Sequence, residues 1–368
     1  MSTESNTSRV PVSFEALDGW RDDDHAAAWR AFHLSAVHAA AHPPKTRALG
    51  IDGAALAEVA AFAAKLPADL DRGAAKAFFE THFQPLRVVE PAGGFFTGFY
   101  EPEVAASMTL TAGFAVPLHA PPPELVEVDE TDPPPGLEPG MRFARRTEAG
   151  FEPFFDRGAI ERGALDGRGL EIAYLADRVD ALFIHIQGAA RLRLPDGAVR
   201  RVTYAAKSGH AYTPVGRVLL ERGLLPKGGV TMQSIRDWFA AHPDEASEII
   251  WQNRSYIFFR EAPVTDPALG PIAAAKVPLT AGRSLAVDRT LHTFHAPVWI
   301  DTRLPAEEGG RALRRLMVAQ DTGSAILGPG RGDIFFGSGD DAGRIAGRMQ
   351  ASGDFIVLAP KGKSSGTT

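Results

Sequence analysis

At 368 residues the chain is longer than one core of usual size fills, so two domains are the default expectation. An apolar share of 45% beside 23% charged residues excludes global disorder, and a net charge of −6 leaves no broad basic surface, which sets nucleic acid aside as a partner. With no cysteine, the sequence rules out a disulfide, a thiolate zinc site and a catalytic thiol.

The first stretch, MSTESNTSRVPVSFEALDGW, has no basic region followed by an apolar one, so the expectation is no signal peptide and no lipobox. No apolar run approaches the roughly 20 residues that span a bilayer. Residues 1–13 and 359–368 read as loose ends. Three Ala-rich helices are predicted over 24–42, 53–66 and 71–83, the last capped by Asp71. Aromatic and β-branched strands follow at 86–90 and 94–104. The Pro-rich stretch 119–140 is expected to be an extended surface loop. ALFIHIQG (181–188), ARLRLPDG (190–197) and VRRVTYAAK (199–207) read as short strands, with a turn at LPDG.

Helices are predicted over 213–223, with Thr213 as N-cap and Gly223 as stop, over 231–242 from Thr231, and over 244–253. From SYIFFRE (255–261) short strands return as SLAVDR, PVWIDTR, RRLMVAQD, DIFFG and DFIVLA, with a helix at 340–350. The expected organisation is a discontinuous main domain, 1–103 and 208–368, interrupted by a mostly β insert, 104–207. A monomer is favoured.

The densest chemistry lies in AQDTGSAILGPGRGDIFFGSGDDAG (319–343), where Asp321 and Asp333 stand in a glycine-rich loop that lets a ligand approach closely. The IFF run after Asp333 suits a carboxyl whose pKa is raised by burial, and Asp288 ends another strand. Simple turn formation remains an alternative for any one Gly-Asp pair. A phosphate loop would need a GK[ST] ending and a calcium loop DxDxDG spacing; both are absent. His292 and His295 read as loop histidines, and His185 and His210 as structural or surface ones, so no metal and no cofactor is expected. Ser208 lacks a GxSxG elbow. In GFFTGFYEP, Phe95, Phe96, Phe99 and Tyr100 accompany Thr97 and Gly98; the rings suit either sugar stacking or a barrel core, and Tyr100 is expected at the surface. Gln187, Asn253 and Thr97 can bond sugar hydroxyl and acetamido groups.

Seven segments, in one order, resemble the membrane-bound lytic murein transglycosylase A family with its three-Asp barrel. They are TGFYEPE (97–103), FIHIQGAARLRLPDG (183–197), AYTPVGRVLLERG (211–223), MQSIRDWFAAHP (232–243), QNRSYIFFRE (252–261), SLAVDR, and AQDTGSAILGPGRGDIFFG (319–337). The resemblance implies a mainly β fold with added helices: a double-psi β-barrel main domain, a second β-barrel inserted in it, and a glycan groove between the two. It implies Asp333 as catalytic acid/base with Asp321 assisting, and Thr97, Gly98, Tyr100, Gln187, Gly188, Asp288, Gly323 and Phe335 as substrate-binding residues. The implied reaction cleaves the β-1,4 bond between N-acetylmuramic acid and N-acetylglucosamine without water, leaving 1,6-anhydromuramoyl ends. Implied partners are peptidoglycan glycan strands, together with cell-wall synthesis or division proteins; the implied location is the periplasm, at or near the outer membrane. Two rival classes stay open: a peptidoglycan binder without catalysis, and a water-using glycosidase, whose second carboxylate would be Asp321, Asp288 or Glu101.

Overall fold

The computed structural model describes residues 8–90, 93–129, 131–264 and 266–362, so parts of both expected loose ends, 1–7 and 363–368, lie outside the described residues. Strand β1 (Ser8–Pro11) is followed by helices α1 (His25–Ala41), α2 (Gly53–Ala63) and α3 (Arg72–His82), then β2 (Phe83–Val89) and β3 (Gly94–Glu101). Next come β4 (Glu103–Ser107), β5 (Val116–His119), β6 (Leu125–Glu127), β7 (Phe143–Thr147), β8 (Gly150–Glu152), the short α4 (Arg157–Ala159) and β9 (Glu171–Leu175). Helix α5 (Arg178–Gln187), β10 (Ala189–Arg193), β11 (Val199–Lys207), α6 (Val215–Glu221), α7 (Met232–Ala241), α8 (Ala246–Trp251) and β12 (Ile257–Ala262) continue the chain. It ends with β13 (Ser284–Val287), β14 (Pro297–Arg303), β15 (Ala312–Asp321), β16 (Arg331–Ser338), α9 (Asp340–Ala346) and β17 (Gln350–Pro360).

Two compact units divide the chain: one runs to Tyr100 and resumes at Pro267, the other spans Glu101–Asp266. In the first, β3, β17, β14, β15, β13 and β16 pair in sequence, and β16 returns to β3, which closes a six-stranded barrel. Strand β17 makes the closure by changing partner along its length, with Gln350–Gly353 on β3 and Asp354–Val357 on β14. Gly353 sits at that change; a Cβ there would lie 2.3 Å from the Asp301 carbonyl oxygen, so only glycine allows the approach. Helices α1–α3 start at Asp24, Asp52 and Asp71, whose carboxylates accept first-turn N–H groups. These helices share a core with the strands through Trp20, Trp29, Phe32, Phe79, Phe83 and Trp299. Buried Asp23 accepts two bonds from Arg283 (2.8 and 2.9 Å) and one from the Leu316 N–H (2.9 Å), tying the amino-terminal segment to β13 and β15.

The second unit holds a six-stranded sheet in the order β12-β11-β10-β4-β9-β5, curled so that β12 and β5 come into contact, and a three-stranded sheet β6-β7-β8. Helices α5–α8 form a separate core through Leu182, Phe183, Leu219, Trp238, Phe239 and Ile249. Glu101, fully buried, accepts from Arg201 (2.6 and 3.1 Å) and Arg191 (2.9 Å).

The structure corrects several sequence-based expectations. The insert ends near 266 rather than 207, because β12 pairs along β11 and α6–α8 pack against α5. Residues 181–188 are helical: Asp177 caps α5, and Gly188 ends it at φ +75°. One face of α5 (Val179, Leu182, Phe183) meets the helical core while Ala181 and Ile184 meet the sheet, so the helix is apolar on two sides and its period is hidden. The loop at 119–140 contains β6, and Pro214, not Thr213, holds the cap position of α6.

Candidate active site

Asp333 lies in β16, not in a loop, and pairs with Ala286 of β13; Asp321, the last residue of β15, pairs with the same Ala286 on the strand's other side. The second pairing depends on a β-bulge, since Leu285 faces Ala319 and Ala286 faces Asp321, leaving Gln320 as the extra residue. Gln320 is anchored by Nε2–H bonds to the Ala31 carbonyl (3.0 Å) and Ser35 Oγ (2.8 Å) of α1, and it accepts from the Ser284 hydroxyl. Directly paired residues share a sheet face, so the bulge sets both aspartates in one row, two strand spacings or roughly 10 Å apart at Cα.

Both residues are half-buried, but protein surrounds their carboxyl groups closely enough to desolvate them. Burial pushes Asp321 up to about 6; the N–H groups of Thr322 and Ala274 pull the other way, and the Asp333 charge adds to the rise. Burial also raises Asp333, against the opposing pull of the Arg331 guanidinium and the Thr97 hydroxyl. Thr97 Oγ1 donates to Asp333 Oδ1 and accepts from Arg331 (2.6 Å). The same guanidinium lies 5.4 Å from the ring centre of Phe95, which is 42% exposed. Arg331 went unnoticed in the sequence; its signal is a cation two residues before Asp333, hence on the same strand face.

The other predicted residues divide. Asp288 is 5% exposed and is held below the usual carboxylate range, since bonds from Thr290 and the Gly328 N–H outweigh its burial. Its Oδ1 accepts from the Thr290 N–H (2.9 Å) and hydroxyl (2.6 Å) and its Oδ2 from Gly328 (2.9 Å), so it clamps the glycine loop. Gly323 turns that loop, its carbonyl accepting from Ile326 N–H at 3.0 Å. Tyr100 is 8% exposed, not a surface residue, and packs its ring over Gly343. Phe335 is 1% exposed and stands 5.2 Å from Phe99. At Gly98 a Cβ would fall 2.6 Å from the Phe336 ring and 2.8 Å from Ala346 Cα, a packing reason for glycine. Gln187 and Gly188 close α5 in the other unit, where the Gly188 carbonyl accepts from Tyr204 N–H (2.7 Å).

A cavity of about 760 Å³ is lined by Asp22, Asp23, Arg283, Arg314 and others, but by none of the predicted site residues. Its charges are largely answered within the protein, Asp23 by Arg283 and Arg314 by Asp301. The desolvated acid pair is the stronger candidate. Among the described residues, no three His, Cys, Asp or Glu side chains are placed to hold a metal.

The fold and the site define a class: a mainly β protein in two units, with a closed barrel that presents two aspartates of raised pKa in one row. A family model described as the MltA specific insert domain matches residues 95–260, and one described as the 3D domain matches 283–359. The crystal structure of a membrane-bound lytic murein transglycosylase from Agrobacterium tumefaciens is 48% identical with a TM-score of 0.89, over 96% of this chain and 98% of that one. E. coli MltA with bound chitohexaose is 25% identical with a TM-score of 0.68, over 98% and 94%. The membrane-bound lytic murein transglycosylase A of Vibrio cholerae and that of Escherichia coli K12 are each 32% identical, over 54% and 72% of this chain; the chain spans 54% and 65% of their respective lengths. This chain belongs to the membrane-bound lytic murein transglycosylase A family.

Proposed function

We propose that the protein is a peptidoglycan lytic transglycosylase with Asp333 as its single acid/base. The reading includes the double-psi connection for the barrel, supported by the parallel β13–β15 pair inside a closed ring. The observation that carries the function is the Asp333 carboxyl, its pKa raised by burial and its orientation held by Thr97 on a strand of the barrel. Such a carboxyl donates its proton to the glycosidic oxygen between N-acetylmuramic acid and N-acetylglucosamine as that bond breaks. The resulting carboxylate accepts the proton of the muramoyl 6-hydroxyl while its oxygen bonds to C1, closing the 1,6-anhydro ring. No water is consumed and Asp333 returns to its starting state.

Asp321 assists by lying in the same row, where its carboxylate steadies positive charge developing at C1. Thr97 and Arg331 orient the acid. Substrate contacts at Gly98, Tyr100, Gln187, Gly188, Asp288, Gly323 and Phe335 belong to the same reading; for Tyr100 and Phe335, burial favours shaping the wall over direct stacking. Action on murein at a membrane is supported by the relatives' printed name, membrane-bound lytic murein transglycosylase A, and the outer membrane belongs to the same reading. Among the described residues no helix is long and apolar enough to cross a membrane.

The test is Asp333→Asn on purified murein, with mass spectrometry of the wild-type products. Loss of lysis in the variant and anhydro ends from the wild type support the reading. Reducing ends would make the protein a hydrolase, and retained lysis in the variant would remove Asp333 from the mechanism.

A further inference from the structure

Lys276 (φ +65°) and His295 (φ +69°) are the non-glycine residues with left-handed backbone among those described, and both stand against the end of β15 that carries Asp321. Lys276 closes a turn through its N–H to the Ala273 carbonyl (2.9 Å); from that turn the Ala275 N–H reaches Gln320 (3.0 Å) and the Ala274 N–H reaches Asp321 Oδ1 (3.1 Å). His295 donates its N–H to the Ala319 carbonyl (2.7 Å). Helix α1 approaches the same strand end, with Ala31 and Ser35 bonded to Gln320, and His38 and His42 continue that face at i+7 and i+11. The His38 ring lies 5.5 Å from His295 and is stacked 4.5 Å from His42. His295 is 4% exposed, and its Nδ1 is buried without a partner.

Backbone strain of this kind persists where the surroundings over-determine it, and it concentrates at functional sites. Here it gathers an exposed lysine and the imidazoles of His295, His38 and His42 around the end of β15 that carries Asp321. Burial, the His42 ring and the Lys276 charge, in that order, disfavour a proton on His38, so Lys276 carries the positive charge while the imidazoles offer N–H donors. An anion answers both. We propose that Lys276 and His42, backed by His38 and His295, form an anion subsite flanking Asp321 that takes a carboxylate of the substrate strand. This rests on the function proposed above and adds a charge requirement to it. Two carboxylates of murein have the right chemistry: the lactyl group of muramic acid once its peptide is removed, and the acids of an attached stem peptide.

Binding is measured in an Asp333→Asn background, so that no strand is cut. The probes are neutral chitohexaose, murein strands stripped of peptide by an amidase, and strands still carrying peptides. Lys276→Gly removes the ammonium and suits the left-handed backbone, so loss of fold does not confound it; Lys276→Arg restores a cation. The expected result is about tenfold weaker binding of carboxylate-bearing strands with Lys276→Gly, unchanged chitohexaose binding, and recovery with Lys276→Arg. A loss on stripped strands assigns the lactyl carboxylate, and a loss confined to peptide-bearing strands assigns the stem peptide. Equal weakening on all three probes, or on none, overturns the subsite. Failure of the unaltered chain to cleave any murein would instead overturn the function on which the subsite rests.

Discussion

Asp321 and Asp333 are held in one row of the barrel by the strand between them, each paired with Ala286. Their separation is therefore fixed by two ladders of backbone hydrogen bonds and a bulge, not by side-chain rotamers. The Asp333 charge contributes to the rise in Asp321, but burial contributes more. Asp333→Asn should therefore lower the Asp321 titration from about 6 while leaving it above the ordinary 3.8. Carboxyl-carbon NMR reads this directly. An unmoved Asp321 would show that the two acids do not sense each other.

Thr97 and Arg331 both oppose the rise in Asp333, so removing either should push its pKa higher. The sign matters: a higher pKa keeps the acid protonated further into the alkaline range. The alkaline limb of the activity profile should move up in Arg331→Met and Thr97→Val. Losing the Thr97 hydroxyl also releases the carboxyl from its orientation, and one hydrogen bond to a charged group is worth about 1.5–3 kcal/mol, or roughly a tenfold to hundredfold fall in kcat/KM. A pH–rate profile with unaltered limbs in both variants would assign these residues to packing alone.

Much of this site is readable from the sequence because its acids sit in a motif of unusual glycine density, and Thr97 stands in an equally distinctive aromatic run. What brings the acids together is not readable locally. The extra residue Gln320 shifts the register of β15 by one, and only the long-range pairing with β13 reveals it. Tyr100 and Phe335 look like sugar platforms in a strand pattern, yet barrel closure against α9 and Phe99 buries them. Helix α5 is misread for a related reason: packed on two sides, it loses the polar face that marks a helix. Lys276 and His295 carry no composition signal, since a positive φ at a non-glycine residue is imposed by tertiary contacts.

Gly98 gives a stability test independent of chemistry. A methyl group there must displace the Phe336 ring and the backbone at Ala346, and the second cannot rotate away. Overpacking of this kind costs about 1–3 kcal/mol. Gly98→Ala should lower the thermal midpoint by several degrees, with α9 as the element that shifts. Glycine's conformational freedom is not the reason, because Gly98 has no positive φ. A variant as stable as wild type would mean that α9 yields at no cost.

The barrel unit should lose stability in mild acid, and two histidines set the window. Burial lowers His292 and His295 to about 4 each, below the 6.5 of an unfolded histidine. Between those values the unfolded chain binds protons that the folded chain refuses, so stability is full above 6.5 and declines as pH falls towards 4. Asp321 works in the opposite sense: raised to about 6 from 3.8, it retains a proton in the folded state and favours folding as pH falls through the same range. Burial raises Asp333 in the same sense as Asp321, but it also lowers His25, His38 and His82, so the lowered imidazoles outnumber the two acids and the net slope is a loss on acidification. Denaturant midpoints at pH 7 and pH 5 measure it, and His292→Gln should flatten the dependence because Gln can still donate to the Pro329 carbonyl that His292 Nε2 meets at 2.8 Å. A midpoint that rises on acidification would mean that the two aspartates outweigh the imidazoles.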